Sequence, residues 1–200
     1  MLPGDITLLE KKPLPLAAAQ FDHMLTDEAL MLEFQRGSRD AFEELFARHR
    51  QALYGFFRRR LERRERAEDL TQETFLAVIR SSSRYQPRAL VRTWLYGIAL
   101  KLLSSERRRE RHDGPNAVAE PSTADRPDDS LWVREAVAKL EDTEREILML
   151  REYEQLAYTE IAELLRLPVN TVRSRLFRAR LALRNHLTAE GGRRPAEGEV

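Results

Sequence analysis

Apolar residues recur at three- and four-residue intervals along most of this chain, the period of helices that bury one face. Thr26 stands ahead of the first such run, which carries Leu30 and Phe34, and its hydroxyl suits a helix cap. Gly37 and Ser38 end that run and cap a second one bearing Phe42, Leu45 and Phe46. A third, reading AEDLTQETFLAVIR, sets Leu70, Phe75, Leu76 and Ile79 against a polar side of Asp69, Gln72 and Glu73. The loop SSSRYQPRALVR then leads into a fourth helix from Thr93 to about Arg111. Four such helices make one bundle.

The pattern lapses from Asp113 to Ser130, where five acids and three prolines accompany a single Arg126. So little apolar material cannot build a core, and the stretch reads as an extended acidic linker. Helical period resumes at Leu131, and Thr143 with Glu146 has capping-box spacing ahead of Ile147, Leu148 and Leu150. The expected fold class is all-α, with two small helical domains joined by a flexible linker. Their bounds are a flexible leader 1–24, a first domain 25–112, a linker 113–130, a second domain 131–188 and a flexible tail 189–200.

The second domain ends in TEIAELLRLPVNTVRSRLFRAR from Thr159, a helix, a tight turn and an Arg-rich second helix. Ile161, Ala162, Leu164 and Leu165 give the first helix an apolar face, and Pro168 stops it and pre-sets the start of the next. Val172, Leu176, Ala179 and Leu183 form a stripe on the second, with Arg173, Arg175, Arg178, Arg180 and Arg184 largely off it. No acid occurs from Arg166 to His186, so these cations have no partner nearby in sequence, and phosphate is the obvious one. A solvated surface helix would mix both signs at i,i+4.

Composition narrows the picture. Net charge is +1, so nucleic-acid affinity has to come from segregation of charge along the chain. Lys101 to His112 holds one Lys and four Arg against two Glu, directly before the acidic linker. With no cysteine, disulfides and thiolate metal sites are excluded, and the four histidines lack ligand spacing. The leader segment KKPLPLAAAQ mimics a signal peptide but has a poor apolar core broken by proline. No run reaches membrane-spanning length, so a cytoplasmic protein without membrane insertion, metal or cofactor is expected. No nucleophile with a partnered base and no phosphate-gripping glycine loop is present, which predicts a protein that is not an enzyme.

The fourth helix, RTWLYGIALKLLSSERRRERH, joins aromatics to a cationic run, as binding of unpaired DNA requires. Trp94 is expected in the core, and Tyr85 with its loop at the surface.

In this order GSRDAFEELFARH, AEDLTQETF, TWLYGIA with RRR, and TEIAELLRLPVNTVRSRLFRARLALR make the chain resemble the extracytoplasmic-function (ECF) subgroup of bacterial sigma factors, over about Thr26 to Leu187. The resemblance implies a specificity subunit of RNA polymerase made of sigma domains two and four. Its partners would be core RNA polymerase, promoter DNA and an anti-sigma factor. Carried over by position, Asp69, Gln72 and Glu73 would dock on core polymerase. The minus-ten element would be melted by the loop Ser83 to Arg92, including Tyr85, Arg88 and Arg92, and by Trp94, Lys101, Arg107, Arg108 and Arg109. In the minus-thirty-five major groove Asn170, Thr171, Ser174 and Arg175 would lie nearest base edges, with Arg173 beside them and Arg178, Arg180 and Arg184 on phosphates.

Some positions depart from the family pattern. Lys101 stands where Asn is usual and Ser105 where Asp is frequent, so minus-ten base preference does not transfer. Arg166 and Asn170 stand where Gly is common, and Arg does not favour left-handed backbone, so the turn is expected to differ slightly. A competing reading is a conventional helix-turn-helix regulator of the LuxR type, which would need a receiver or ligand-binding first domain. A helical nucleic-acid enzyme would need carboxylates clustered for magnesium.

Overall fold

The computed structural model describes residues 25–112 and 131–191. Among these residues all regular structure is helical. The first domain comprises α1 (Asp27–Gln35), α2 (Arg39–Arg58), α3 (Arg64–Ser81), a short 3-10 turn (Ser82–Arg84) and α4 (Val91–His112). The second comprises α5 (Leu131–Ala138), α6 (Asp142–Glu152), α7 (Tyr158–Leu165) and α8 (Val169–Gly191). The leader and linker expected from sequence, and most of the tail, lie outside the described residues. No described helix is long and apolar enough to cross a membrane.

The helix starts follow local chemistry. The Thr26 hydroxyl accepts from the Ala29 N–H at 3.2 Å, and the Ser38 hydroxyl accepts from that of Ala41 at 3.3 Å, after Gly37 has turned the chain at φ +102°. Both caps are those expected. The start of α6 is not: its cap is Glu141, which accepts from the Glu144 N–H at 3.2 Å, and Thr143 lies inside the helix. Glu146, freed from any capping box, instead accepts from Arg60 of the first domain at 2.9 Å. In α7 Glu160 reaches back to the Ala157 N–H at 2.8 Å, half of a capping box, since Ala157 has no side-chain acceptor.

Two apolar clusters result. Leu30, Met31, Leu45, Val78, Val91 and Leu95 gather where α1 crosses the other first-domain helices. The larger cluster runs from Phe56, Phe57, Leu70 and Leu103 without a break into Ile147, Leu150, Ile161, Val172 and Leu176 of the second domain. The apolar packing of the two expected helical domains is therefore continuous from one to the other. Sequence periodicity also misplaced part of α3: Leu76 and Ile79 are 50% and 46% exposed, not core.

The turn between α7 and α8 closes by a Leu167 N–H donated to the Ala162 carbonyl at 2.9 Å, with Arg166 left-handed at φ 55° and ψ 45°. A left-handed non-glycine residue costs roughly 1–2 kcal/mol, while glycine loses about 0.5–1 kcal/mol in unfolded-chain entropy. An Arg166→Gly variant is accordingly expected to be more stable by about 0.5–1 kcal/mol. A melting temperature unchanged or lowered in a calorimetric scan would refute this account of the turn.

Candidate nucleic-acid and polymerase interface

The polar side of α3 stands in solvent. Asp69 and Gln72 are exposed and Glu73 partly so, and one helix face carries all three together with Leu76 and Ile79. Asp69 accepts from Arg66 at 2.9 Å. Arg66 also forks onto Glu106 of α4 at 2.7 and 2.6 Å, and that hydrogen-bonded pair holds the Glu106 carboxyl below the usual carboxylate range despite its burial. The patch therefore rides on two helices clamped together.

The loop before α4 is tied down from inside. Gln35 donates to the Ser82 and Tyr85 carbonyls at 2.6 and 3.0 Å, and Glu28 accepts from the Val91 N–H at 3.0 Å. Tyr85, expected at the surface, is 5% exposed; its ring lies 5.3 Å from that of Trp94 and its hydroxyl donates to the Ala89 carbonyl at 2.8 Å. The ring is held inward by Trp94 and the Ala89 carbonyl, contacts that no periodicity signals. Trp94, expected in the core, is only partly buried and lines a cleft of about 880 Å³ between α4 and the second domain. Lys101, Arg107 and Arg108 share that cleft, while Arg88 and Arg109 are exposed.

Arg92 is engaged. It forks onto Glu160 of α7 at 2.8 and 2.5 Å, and the Thr93 hydroxyl donates to the same carboxylate at 2.7 Å. Burial pushes the Glu160 carboxyl up, but the Arg92 pair, the Ala157 N–H and the Thr93 hydroxyl outweigh it and leave it below the usual range. Alongside, Glu154 accepts from Arg59 at 2.9 Å, Arg60 at 3.3 Å and the Tyr96 hydroxyl at 3.1 Å. Burial raises the Tyr96 phenol well above its ordinary range, so it stays a neutral donor.

On α8 Val172, Leu176 and Ala179 are buried as expected. The opposite face presents Asn170, Arg173, Ser174 and Phe177, with Phe177 68% exposed. Sequence reasoning passed over Phe177, although its position opposite the apolar stripe marks it. Thr171 is half-buried on the flank. The arginines have no acid nearby in sequence, as expected, but three of them meet acids at α6, distant in sequence. Arg175 donates to Glu141 at 3.3 Å, Arg178 to Glu144 at 2.9 Å and Arg180 to Glu152 at 2.6 Å, because α6 and its cap lay a row of acids beside α8. Arg184 is exposed.

Comparison with known proteins places this arrangement. Residues 45–112 match Sigma-70 region 2 and residues 130–183 match Sigma-70, region 4. The RNA polymerase sigma factor YlaC of Bacillus subtilis is 32% identical over 162 residues, spanning 75% of this chain and 94% of that protein. The ECF RNA polymerase sigma-E factor of Haemophilus influenzae is 30% identical over 182 residues, spanning 82% and 96%. This chain belongs to the ECF sigma factors. Among solved structures, CnrH in complex with the cytosolic domain of CnrY superposes with a TM-score of 0.64 at 26% identity, over 82% of this chain and 97% of CnrH. In this sigma factor region 2 covers most of α2 through α4, and region 4 covers α5 to most of α8.

Proposed function

We propose that this sigma factor binds core RNA polymerase, directs it to bipartite promoters and helps open the minus-ten region. The observation that carries the reading is the pairing of region 2 and region 4 in one chain. A LuxR-type regulator would need a receiver or ligand-binding domain where region 2 stands. The protein acts as a non-catalytic cytoplasmic subunit, since its work is binding and its partner polymerase carries the chemistry. Asp69, Gln72 and Glu73 dock on polymerase, with Leu76 and Ile79 supplying apolar area beside them. An anti-sigma factor is the partner of the free chain.

Minus-ten contacts fall to the loop and α4. Arg88, Arg107, Arg108 and Arg109 track phosphates of the opened strand, and Lys101 faces it as a donor. Trp94 offers a stacking surface from the cleft wall. Buried Tyr85 supports Trp94 from behind, so its role is to hold the ring that meets the base. Arg92 serves DNA once Glu160 has left it.

At the minus-thirty-five element the open face of α8 enters the major groove. Asn170, Arg173 and Ser174 reach base edges and Phe177 lies against a thymine methyl, with Thr171 and Arg175 on the flank. Arg178, Arg180 and Arg184 meet phosphates. In holoenzyme binding to single-base minus-thirty-five variants across a salt series, Arg173→Ala is expected to cost about 1–3 kcal/mol and to change the ranking of sites. Arg184→Ala is expected to keep the ranking and reduce the salt slope by about one unit. Identical behaviour of the two variants would remove α8 from the groove as oriented here.

A further inference from the structure

Helix α1 lies outside the residues matched to Sigma-70 region 2, which begin at residue 45, and takes no part in the contacts proposed above. Glu28, Met31 and Gln35 nonetheless follow one another at i, i+3 and i+7, so they share one side of the rod, with Glu28 and Gln35 about 10 Å apart along it. Met31, between them, is fully buried. The rod itself is fixed to α2, where Asp27 accepts from Arg48 at 3.0 Å and meets the His49 ring at 2.6 Å.

Both ends of that side hold the backbone of the minus-ten loop. Gln35 uses its amide to donate to two carbonyls where the loop begins, Ser82 at 2.6 Å and Tyr85 at 3.0 Å. Glu28 accepts the Val91 N–H at 3.0 Å, where the loop ends and α4 starts. The first N–H groups of a helix have no partner within it, so Glu28 supplies from another helix what a cap residue supplies from nearby. Between these two grips the Tyr85 hydroxyl donates to the Ala89 carbonyl at 2.8 Å; burial, then Glu28 and Asp27, push that phenol up to about 12, so it stays a donor. With its backbone held from inside, the loop leaves Gln86, Arg88 and Leu90 exposed.

We propose that α1 is the brace of the minus-ten loop, and that Gln35 and Glu28 are positioning residues that set how tightly and how selectively the opened strand is read. The hold on the loop concerns the free protein alone; its effect on reading rests on the promoter function proposed above. A loop already held in one shape needs no ordering when a base arrives, whereas a loosened loop binds with its affinity scaled by the fraction in that shape. Discrimination falls with it, because selectivity depends on loop groups that meet one base and miss the others.

Three variants separate the grips. Q35E keeps the size of the side chain but sets an acceptor against two carbonyls, E28A removes the acceptor for Val91, and E28Q keeps one without the charge. In the free full-length chain, amide hydrogen exchange across 82–91 is expected to be about tenfold faster in Q35E and E28A, and within about twofold of the parent in E28Q, with exchange in α3 unchanged. Parent-like exchange at 82–91 in Q35E and E28A, or exchange in α3 that rises equally, would overturn the brace whatever the protein does on DNA. Holoenzyme is then bound to single-stranded oligonucleotides carrying single-base minus-ten variants. Q35E and E28A are expected to bind the preferred strand about tenfold more weakly and to flatten the ranking of strands, with affinity for core polymerase unchanged. An unchanged ranking in a loosened loop overturns the positioning role. A parent with no ranking of its own overturns the promoter reading and the positioning role with it, while the exchange result decides the brace separately.

Discussion

Core polymerase is expected to bind a D69K/E73K variant about 100-fold more weakly than the parent, in a chain that still folds. Asp69 is exposed and Glu73 partly so, and the Asp69–Arg66 pair has side-chain exposures of 53% and 23%. Pairs this open contribute about 0–1 kcal/mol, and Arg66 keeps its forked partner Glu106 when Asp69 is gone. Reversal does more than delete. It sets two cations against a surface that met anions, and like charges juxtaposed in an interface cost several kcal/mol, where about 1.4 kcal/mol is tenfold in affinity. Titration of labelled protein with core polymerase, beside a thermal melt, separates docking from folding. Undiminished affinity in a well-folded variant would move the docking surface elsewhere.

The largest stability effect is expected from Phe56→Ala. Phe56 is fully buried, packs edge-on against Phe57 at 5.1 Å between ring centres, and lies 5.5 Å from Tyr96. The Arg60 guanidinium rests over its face at 3.8 Å, and Arg60 in turn holds Glu146 and Glu154. Truncation of a buried phenylalanine costs about 3–5 kcal/mol, and here it also removes the platform that aims Arg60 across the domain junction. A fall in melting temperature of about 10 °C is expected, since 1 kcal/mol shifts a chain of this size by roughly 2–4 °C. A loss of under about 1 kcal/mol in denaturant titration would show that the site collapses and refills.

Helices and caps were legible because they depend on near neighbours. Thr26 and Ser38 cap because a hydroxyl stands three residues ahead of a free N–H, and Val172, Leu176 and Ala179 are buried because they share a stripe. What escaped depends on the partner helix. Nothing near Glu160 announces that its carboxylate meets Arg92, 68 residues away, and Glu146 looked like a cap because its distant partner Arg60 is invisible locally. Leu76 and Ile79 follow the helical period but face outward, since periodicity tells that a face is apolar and not what covers it. Tyr85 was judged by its loop and not by the ring of Trp94 that shelters it. For the candidate sites, residue type and order were readable, while the state of each arginine was not.

The row of acids along α6 has a consequence for how this sigma factor treats the wrong DNA. Glu141, Glu144 and Glu152 already pair with Arg175, Arg178 and Arg180, so the phosphates of any duplex share or compete for these guanidinium donors with a carboxylate. Random sequence offers phosphates alone, and exchanging one anion for another at an exposed arginine returns little. On the orientation proposed for α8, a cognate site adds base edges within reach of Asn170, Arg173 and Ser174, which no carboxylate on α6 imitates. The internal acids subtract about the same amount from every encounter. Decoy sites, with nothing beyond their backbone to offer, would then lose the larger fraction of what they had, and stays on them would be brief.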